Sequence, residues 1–243
     1  MKKFKSSFLS SFLIVLILTA CSPAVQPTSA LSSTPAGISF VDGLKRTVDL
    51  PQPAQRVVSL APSLTEVLFA VGAGSQVVAR DSFANFPESV KTLPDVGGNN
   101  GDYNYEAIAA LKPDLVLATE INTVAQVNAI EKLGLKVAYL SNPLKLDDMY
   151  TLLSDVALLT GHTAEADSLI TSLKSRVAAV EARISQSSTT PLVFYELDGS
   201  DPAKPWTSGA GTFLDQLITA AGGRNAGAVM KDAWGQLSLE ELL

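Results

Sequence analysis

One cysteine and one histidine are all that the 243 residues hold of either type, and each scarcity closes off a chemistry. Cys21 alone cannot form an internal disulfide, nor supply the several thiolates of a structural zinc site. His162 alone argues against a multi-histidine metal centre or a histidine-dependent triad within this chain. Positive charge is also short, with 18 Lys+Arg against 24 Asp+Glu and a net charge of -6. Lys2, Lys3 and Lys5 all precede Cys21 in a segment without an acid, so removing them leaves 15 basic and 24 acidic residues and a charge of -9. A surface of that sign attracts neither nucleic acid nor anionic lipid. Neither a Walker A loop nor a Gly-x-Ser-x-Gly elbow occurs. Gly72-x-Gly74 lacks a third glycine and follows a helix where a dinucleotide fingerprint follows a strand. What is plentiful is apolar: 47% hydrophobic residues exclude a disordered chain and leave room for one large domain or two small lobes.

The first residues read as an address. Three lysines precede an apolar run from about Phe8 to Leu18, which is shorter than the roughly 20 residues a bilayer span requires. Leu18-Thr19-Ala20-Cys21 closes the run and resembles the lipobox of bacterial lipoproteins, whose cysteine becomes the lipidated first residue. Residues 1–21 are then a lipoprotein signal peptide. An uncleaved anchor helix, or an ordinary cleaved signal with a chance cysteine, is the bland alternative. Ser22 to Gly37 is rich in Ser, Pro, Thr and Ala, with too few large apolar groups to offset the entropy of ordering it, and reads as a disordered tether.

From Ile38 the patterning becomes regular. Two β-prone runs around Asp42-Gly43 predict an edge hairpin, stopped by Pro51 and Pro53. Val57 to Leu60 predicts a strand, Ser63 with Glu66 a capping box, and Val67 to Val71 the helix that follows, ended by Gly72 and Gly74. Further strands are expected at Val77–Ala79, Leu115–Ala118 and Lys136–Leu140. Helices are expected from the Asn104 cap to Leu111 and over Val124 to Leu133, with Gly134 as cap. Alternation of this kind argues for a parallel sheet with helices on both faces, and ligands of such sheets lie outside the carboxyl ends of the strands. The loops starting at Leu60, Asp81 and Thr119 are therefore the ones to watch.

Leu146 to Ser185 is interrupted only at Thr160-Gly161-His162-Thr163. Thr163 can cap a helix whose apolar stripe is Leu169, Ile170, Leu173, Val177, Val180 and Ile184. His162 reads as a solvated helix-start residue. A strand over Leu192–Leu197, a helix over Thr212–Ala221 ended by Gly222-Gly223, and a last capping box, Ser238-x-x-Glu241, follow. That final helix stops after five residues on two leucines, which predicts a truncated second lobe. The fold class is doubly wound α/β, and the helix over 163–185, roughly 30 Å long, can run the length of one domain or bridge two lobes, residues 38–162 and 186–243.

The ordered set Arg56-Val57-Val58-Ser59-Leu60-Ala61-Pro62-Ser63-Leu64-Thr65-Glu66, Ala110 to Val116, a long helix, Pro205-Trp206-Thr207-Ser208-Gly209 and Ala221-Gly222-Gly223-Arg224-Asn225 resembles substrate-binding proteins of ABC importers for cobalamin, ferric siderophores and haem. The resemblance covers about Leu44 to Leu243. It implies two lobes about a rigid helix, a chelate held between them, no catalytic centre, no resident metal or cofactor, and a lipid-anchored monomer that meets an ABC permease. In that family a glutamate near the tip of each lobe docks on the permease, which by motif falls on Glu106 and Glu240. An acid in a first helical turn also simply complements the helix dipole, worth about 0.3–1 kcal/mol. In the second lobe, however, Glu241 holds the capping position and leaves Glu240 free.

By the same resemblance Phe83, Trp206 and Trp234 present rings to a corrinoid, while Asn100 stands where such members can carry another tryptophan. Phe86 and Tyr103 are further loop aromatics that packing alone can explain. Flat rings supply contact area with little rotamer entropy to lose. Ferric siderophore and haem are the other ligands the resemblance allows. Glu196, Asp198 and Asp201 leave a reading from another class, a secreted hydrolase using loop carboxylates.

Overall fold

The computed structural model describes residues 37–99, 101–186 and 188–242. The signal peptide, Cys21, nearly all of the tether and Asn100 lie outside the described residues.

The chain opens on an antiparallel hairpin, β1 (Ile38–Val41) and β2 (Thr47–Leu50), in which Ile38 pairs with Leu50 and Val41 with Thr47. Asp42 builds its turn. Oδ1 accepts the N–H groups of Leu44 and Arg46 at 2.9 Å each, and Oδ2 takes the Arg46 guanidinium.

Four parallel strands follow: β3 (Val57–Ser59), β4 (Val77–Arg80), β5 (Leu115–Ala118) and β6 (Val137–Tyr139), in the order β4-β3-β5-β6. The order reverses at β3, so β3 and β5 flank the switch point of the sheet. Side chains alternate between faces. Val57, Leu115, Leu117 and Ala138 join one buried cluster; Val58, Val116, Ala118 and Val137 join another on the opposite side. The first cluster is covered by the hairpin, α1 (Pro62–Ala70) and α4 (Leu146–Thr160), the second by α2 (Tyr105–Ala110) and α3 (Val124–Glu131).

Caps explain most helix starts. Asn104 Oδ1 accepts the N–H of Ala107 at 2.9 Å, and Thr123 with Gln126 forms a full capping box. The expected Ser63–Glu66 box does not form: Pro62, whose missing N–H needs no partner, starts α1 with Ala61 at the cap position, two residues earlier.

Gly161, at φ +84°, ends α4, and α5 (Thr163–Ile184) leaves directly, with His162 rather than Thr163 at the cap position. His162 is not fully solvated. Its ring stands over Gly72, and Nδ1 lies 3.7 Å from Glu165. The 22 residues of α5 run about 33 Å at the usual rise. Only Ala166 is buried on it; Leu169, Ile170 and Leu173 pack half-buried against the first-lobe core, Ile184 meets Gly222 of the second lobe, and Val180 between them stays exposed.

Beyond α5 lie two small sheets: β7 (Leu192–Val193) parallel to β9 (Arg224–Asn225), and β8 (Trp206–Ser208) antiparallel to β10 (Trp234–Gln236). The strand expected over Leu192–Leu197 is two residues long, because the N–H of Leu197 and the carbonyl of Tyr195 are taken by Trp206 and Thr207 instead. Helices α6 (Phe213–Ala220) and α7 (Leu239–Leu242) complete the described lobe. Gly222, at φ +81°, lets that lobe close on α5: a Cβ there would stand 2.5 Å from Ile184 Cγ2.

Candidate functional site in the interlobe region

The switch point of the first sheet is filled by side chains rather than left as a crevice. Tyr103 Oη donates to the carbonyl of Leu60 at 3.0 Å, and Asn122 Nδ2 donates to Tyr103 Oη at 2.7 Å and to Leu60 at 3.3 Å. Asn122 Oδ1 accepts the N–H of Thr119 at 2.9 Å, and Thr119 Oγ1 donates to Asn142 at 2.8 Å. Burial pushes the Tyr103 phenol up, against the pull of the Asn122 hydrogen bond. This network ties the loops after β3, β5 and β6 into one rigid platform. Tyr103 is therefore a strut beneath the site and not a ring on its surface.

What stands on the platform is apolar and exposed. The loop after β4 presents Phe83 at 57% exposure and Phe86 at 63%; the loops after β5 and β6 add Ile121 and Leu144, and Val124 opens α3 beside them. Large apolar groups gathered on one edge mark a binding surface more often than single exposed ones do. Phe86 also lines a hollow of about 640 Å3 between α1, α4 and α5, with Leu64, Met149, Leu152, Leu169 and Leu173. Phe83 is not among its lining residues.

On the second lobe, the register of β8 with β10 sets Trp206 opposite Gln236 and Ser208 opposite Trp234. Both tryptophans thus share one face of the ribbon, diagonally placed, at 43% and 51% exposure. The ribbon is held from behind. Thr207 Oγ1 donates to the carbonyl of Tyr195 at 2.8 Å, and Asn225 Nδ2 donates to the carbonyl of Ser208 at 3.0 Å. Two of the three expected ligand residues, Trp206 and Trp234, are therefore neighbours; Phe83 stands on the other lobe. Gln216 Nε2 reaches from α6 to the carbonyl of Leu144 at 3.0 Å, linking the lobes a second time beside α5.

Glu106 and Glu240 both lie exposed in first helical turns, Glu106 in α2 and Glu240 in α7. The final capping box forms as expected: Ser238 Oγ and Glu241 bond reciprocally, with Ser238 N–H 2.9 Å from Oε2, and Glu240 takes no part in it. The loop carboxylates have local duties. Asp198 Oδ1 accepts the N–H of Ser200 at 2.8 Å, and Asp201 Oδ1 that of Ala203 at 3.0 Å. The Ser200 hydroxyl and N–H hold Asp198 below the usual carboxylate range, which suits a turn and not a proton donor. Among the described residues no cluster of three His, Cys, Asp or Glu could hold a metal ion.

Residues 57–243 match the periplasmic binding protein family. Along the whole chain, identity is 28% to an ABC transporter substrate-binding lipoprotein, YvrC, of Bacillus subtilis, of which 78% is covered. A vitamin B12-binding protein of Yersinia pestis is 33% identical over 79% of this chain and 67% of its own length. The periplasmic heme-binding protein RhuT of Roseiflexus, solved in its apo form, superposes with a TM-score of 0.67 at 30% identity, over 78% of this chain and 72% of that one. With two α/β lobes about one long helix and this match over most of its length, the chain belongs to the periplasmic binding protein family.

Proposed function

We propose that the protein is an extracytoplasmic lipoprotein, tethered through Cys21, that takes up a corrinoid between its lobes and hands it to an ABC permease through Glu106 and Glu240. The pair of exposed tryptophans on one face of the β8–β10 ribbon carries this reading. Two large rings side by side offer a flat, rigid surface that suits a macrocycle. Phe83, Ile121, Val124 and Leu144, exposed on the first lobe, are the apolar groups this reading assigns to the other side of the ligand.

On the first lobe, charge supports a corrinoid over its rivals. The loops after β4, β5 and β6 carry Asp81, Glu88, Asp95, Asp102 and Glu120 against only Lys91 and Lys145, without an arginine. Lys91 is already paired with Glu88 at 2.8 Å. Haem propionates and catecholate siderophores are anionic and call for arginine or lysine; the amide rim of a corrinoid does not. The chelate brings its own metal, so capture asks the protein for shape and apolar contact.

Haem is the second reading, supported by the likeness to RhuT. Titrating the protein with cyanocobalamin, haemin and a ferric catecholate, followed by tryptophan emission, separates the readings. Saturable quenching by cyanocobalamin is expected. Saturation by haemin with no response to cyanocobalamin would overturn the corrinoid assignment in favour of haem.

A further inference from the structure

Phe83 is more than half exposed, so side-chain packing does not decide where its ring stands; its backbone does. That backbone is held by a single buried side chain. Asp81 follows β4 directly, is 1% exposed, and accepts the N–H of Phe83 on Oδ1 at 2.8 Å. Its other oxygen, Oδ2, is equally buried and has no hydrogen-bond partner.

The groups around it are committed elsewhere. Arg80 Nη1 donates to the carbonyl of Asp81 at 2.8 Å and lies 3.5 Å from Asp95. Asp95 takes the hydroxyl of Ser82 at 2.7 Å, and the N–H of Ser82 donates to Gly97 at 2.8 Å. The phenol of Tyr103 gives its hydrogen to Leu60. Arg80, Asp95 and Tyr103 are thus the charged and titratable groups near this carboxyl, and none offers a hydrogen to Oδ2. We propose that Asp81 is the positioning residue of the rim loop that carries Phe83, and that its hold on the loop depends on its own proton.

The physical reason is desolvation. A neutral carboxyl can sit buried with Oδ2 protonated, whereas an ionised one leaves a bare charged oxygen out of water. Burial accordingly pushes the Asp81 carboxyl up, against the N–H groups of Phe83 and Ala84 and the attraction of Arg80. The sign follows from linkage. A carboxyl raised in the closed loop favours closure at low pH, and ionisation favours the open loop, in which water reaches the carboxylate. The hold weakens as pH rises from the ordinary aspartate range through the raised value.

The importance of this hold for uptake rests on the reading of Phe83 as a ligand contact, but the hold itself is measurable without ligand. Amide hydrogen exchange of Phe83 in the wild-type protein, corrected for the intrinsic pH dependence of exchange, should show protection falling as pH rises, by at most tenfold per unit. In Asp81→Asn, a neutral side chain of the same shape, protection should be level with pH. A level wild-type profile, or one that Asp81→Asn reproduces, would overturn the proposal. Asp81→Ala removes the acceptor and should lose protection at every pH; should it fail to fold, the Asn comparison decides alone. Cyanocobalamin affinity measured on the same samples should track the exchange. If exchange behaves as expected and affinity does not follow, the ligand role of Phe83 falls while the hold of Asp81 on the loop stands.

Discussion

Trp206 and Trp234 sit on adjacent strands of one antiparallel ribbon, diagonal to each other on the same face, with Ser208 and Gln236 as their cross-strand partners. Rings placed this way can meet one flat ligand together. Truncating either to alanine should weaken cyanocobalamin binding by about tenfold or more, as for buried aromatic anchors generally. Because the two positions are diagonal neighbours on one face, a shared flat ligand should make the double variant depart from the sum of the single ones by about 0.5–1.5 kcal/mol. Isothermal titration of the four proteins measures that coupling; strict additivity would mean that the rings meet separate parts of the ligand or that only one meets it.

Tyr103 anchors the platform from below. Tyr103→Phe removes the donor to Leu60 and the acceptor of Asn122, leaving buried polar groups short of partners. Asn122 still donates to Leu60, so neither group is stripped of every partner, and the loss should be about 1–3 kcal/mol in all. The urea midpoint should fall by a corresponding amount with the slope unchanged, which would mark lost stability rather than a changed unfolded state.

The same residue shows where the sequence stops being readable. Asn104 as a cap, the alternation of strand and helix, and the stripe along α5 are local patterns, and each appears where its spacing places it. Tyr103 reads as a loop aromatic because its partners, Leu60 and Asn122, are 43 and 19 positions away. Ser63 with Glu66 matches a capping box in letters, yet Pro62 starts the helix first, a competition that the spacing does not weigh. The aliphatic groups Ile121, Val124 and Leu144 carry a weaker signal than rings do, since an apolar residue just past a parallel strand is as common in a core as on a surface. Asp81 has no local signature of burial at all.

Asp42 makes the hairpin sensitive to acid. Burial pushes its carboxyl up, but the Arg46 guanidinium, the N–H of Arg46 and the N–H of Tyr139 outweigh it and leave the carboxyl below the usual range. A depressed carboxyl contributes its stability in full above the unfolded value and loses it as pH falls through the folded one. Unfolding free energy measured against pH should therefore drop on the acid side of the aspartate range, and Asp42→Asn should remove that part of the slope. Asp42→Asn should also be less stable at neutral pH by about 1–3 kcal/mol, since Arg46 loses a charged partner.

Glu106 and Glu240 pose the question of transport apart from capture. Both are exposed, both lie in the first turn of a short helix, and Glu240 is left out of the capping box that Glu241 completes. A purely local role in the helix dipole would be worth about 0.3–1 kcal/mol and would leave transport untouched. A docking role predicts the reverse: Glu106→Lys and Glu240→Lys should bind cyanocobalamin with wild-type affinity, melt within a few degrees of wild type, and lose most uptake when paired with the permease in vesicles. Each replaces an attraction across an interface with a repulsion, so the loss should be largest at low ionic strength and partly recovered by added salt. Uptake at wild-type levels with both charges reversed would remove the glutamates from the docking surface.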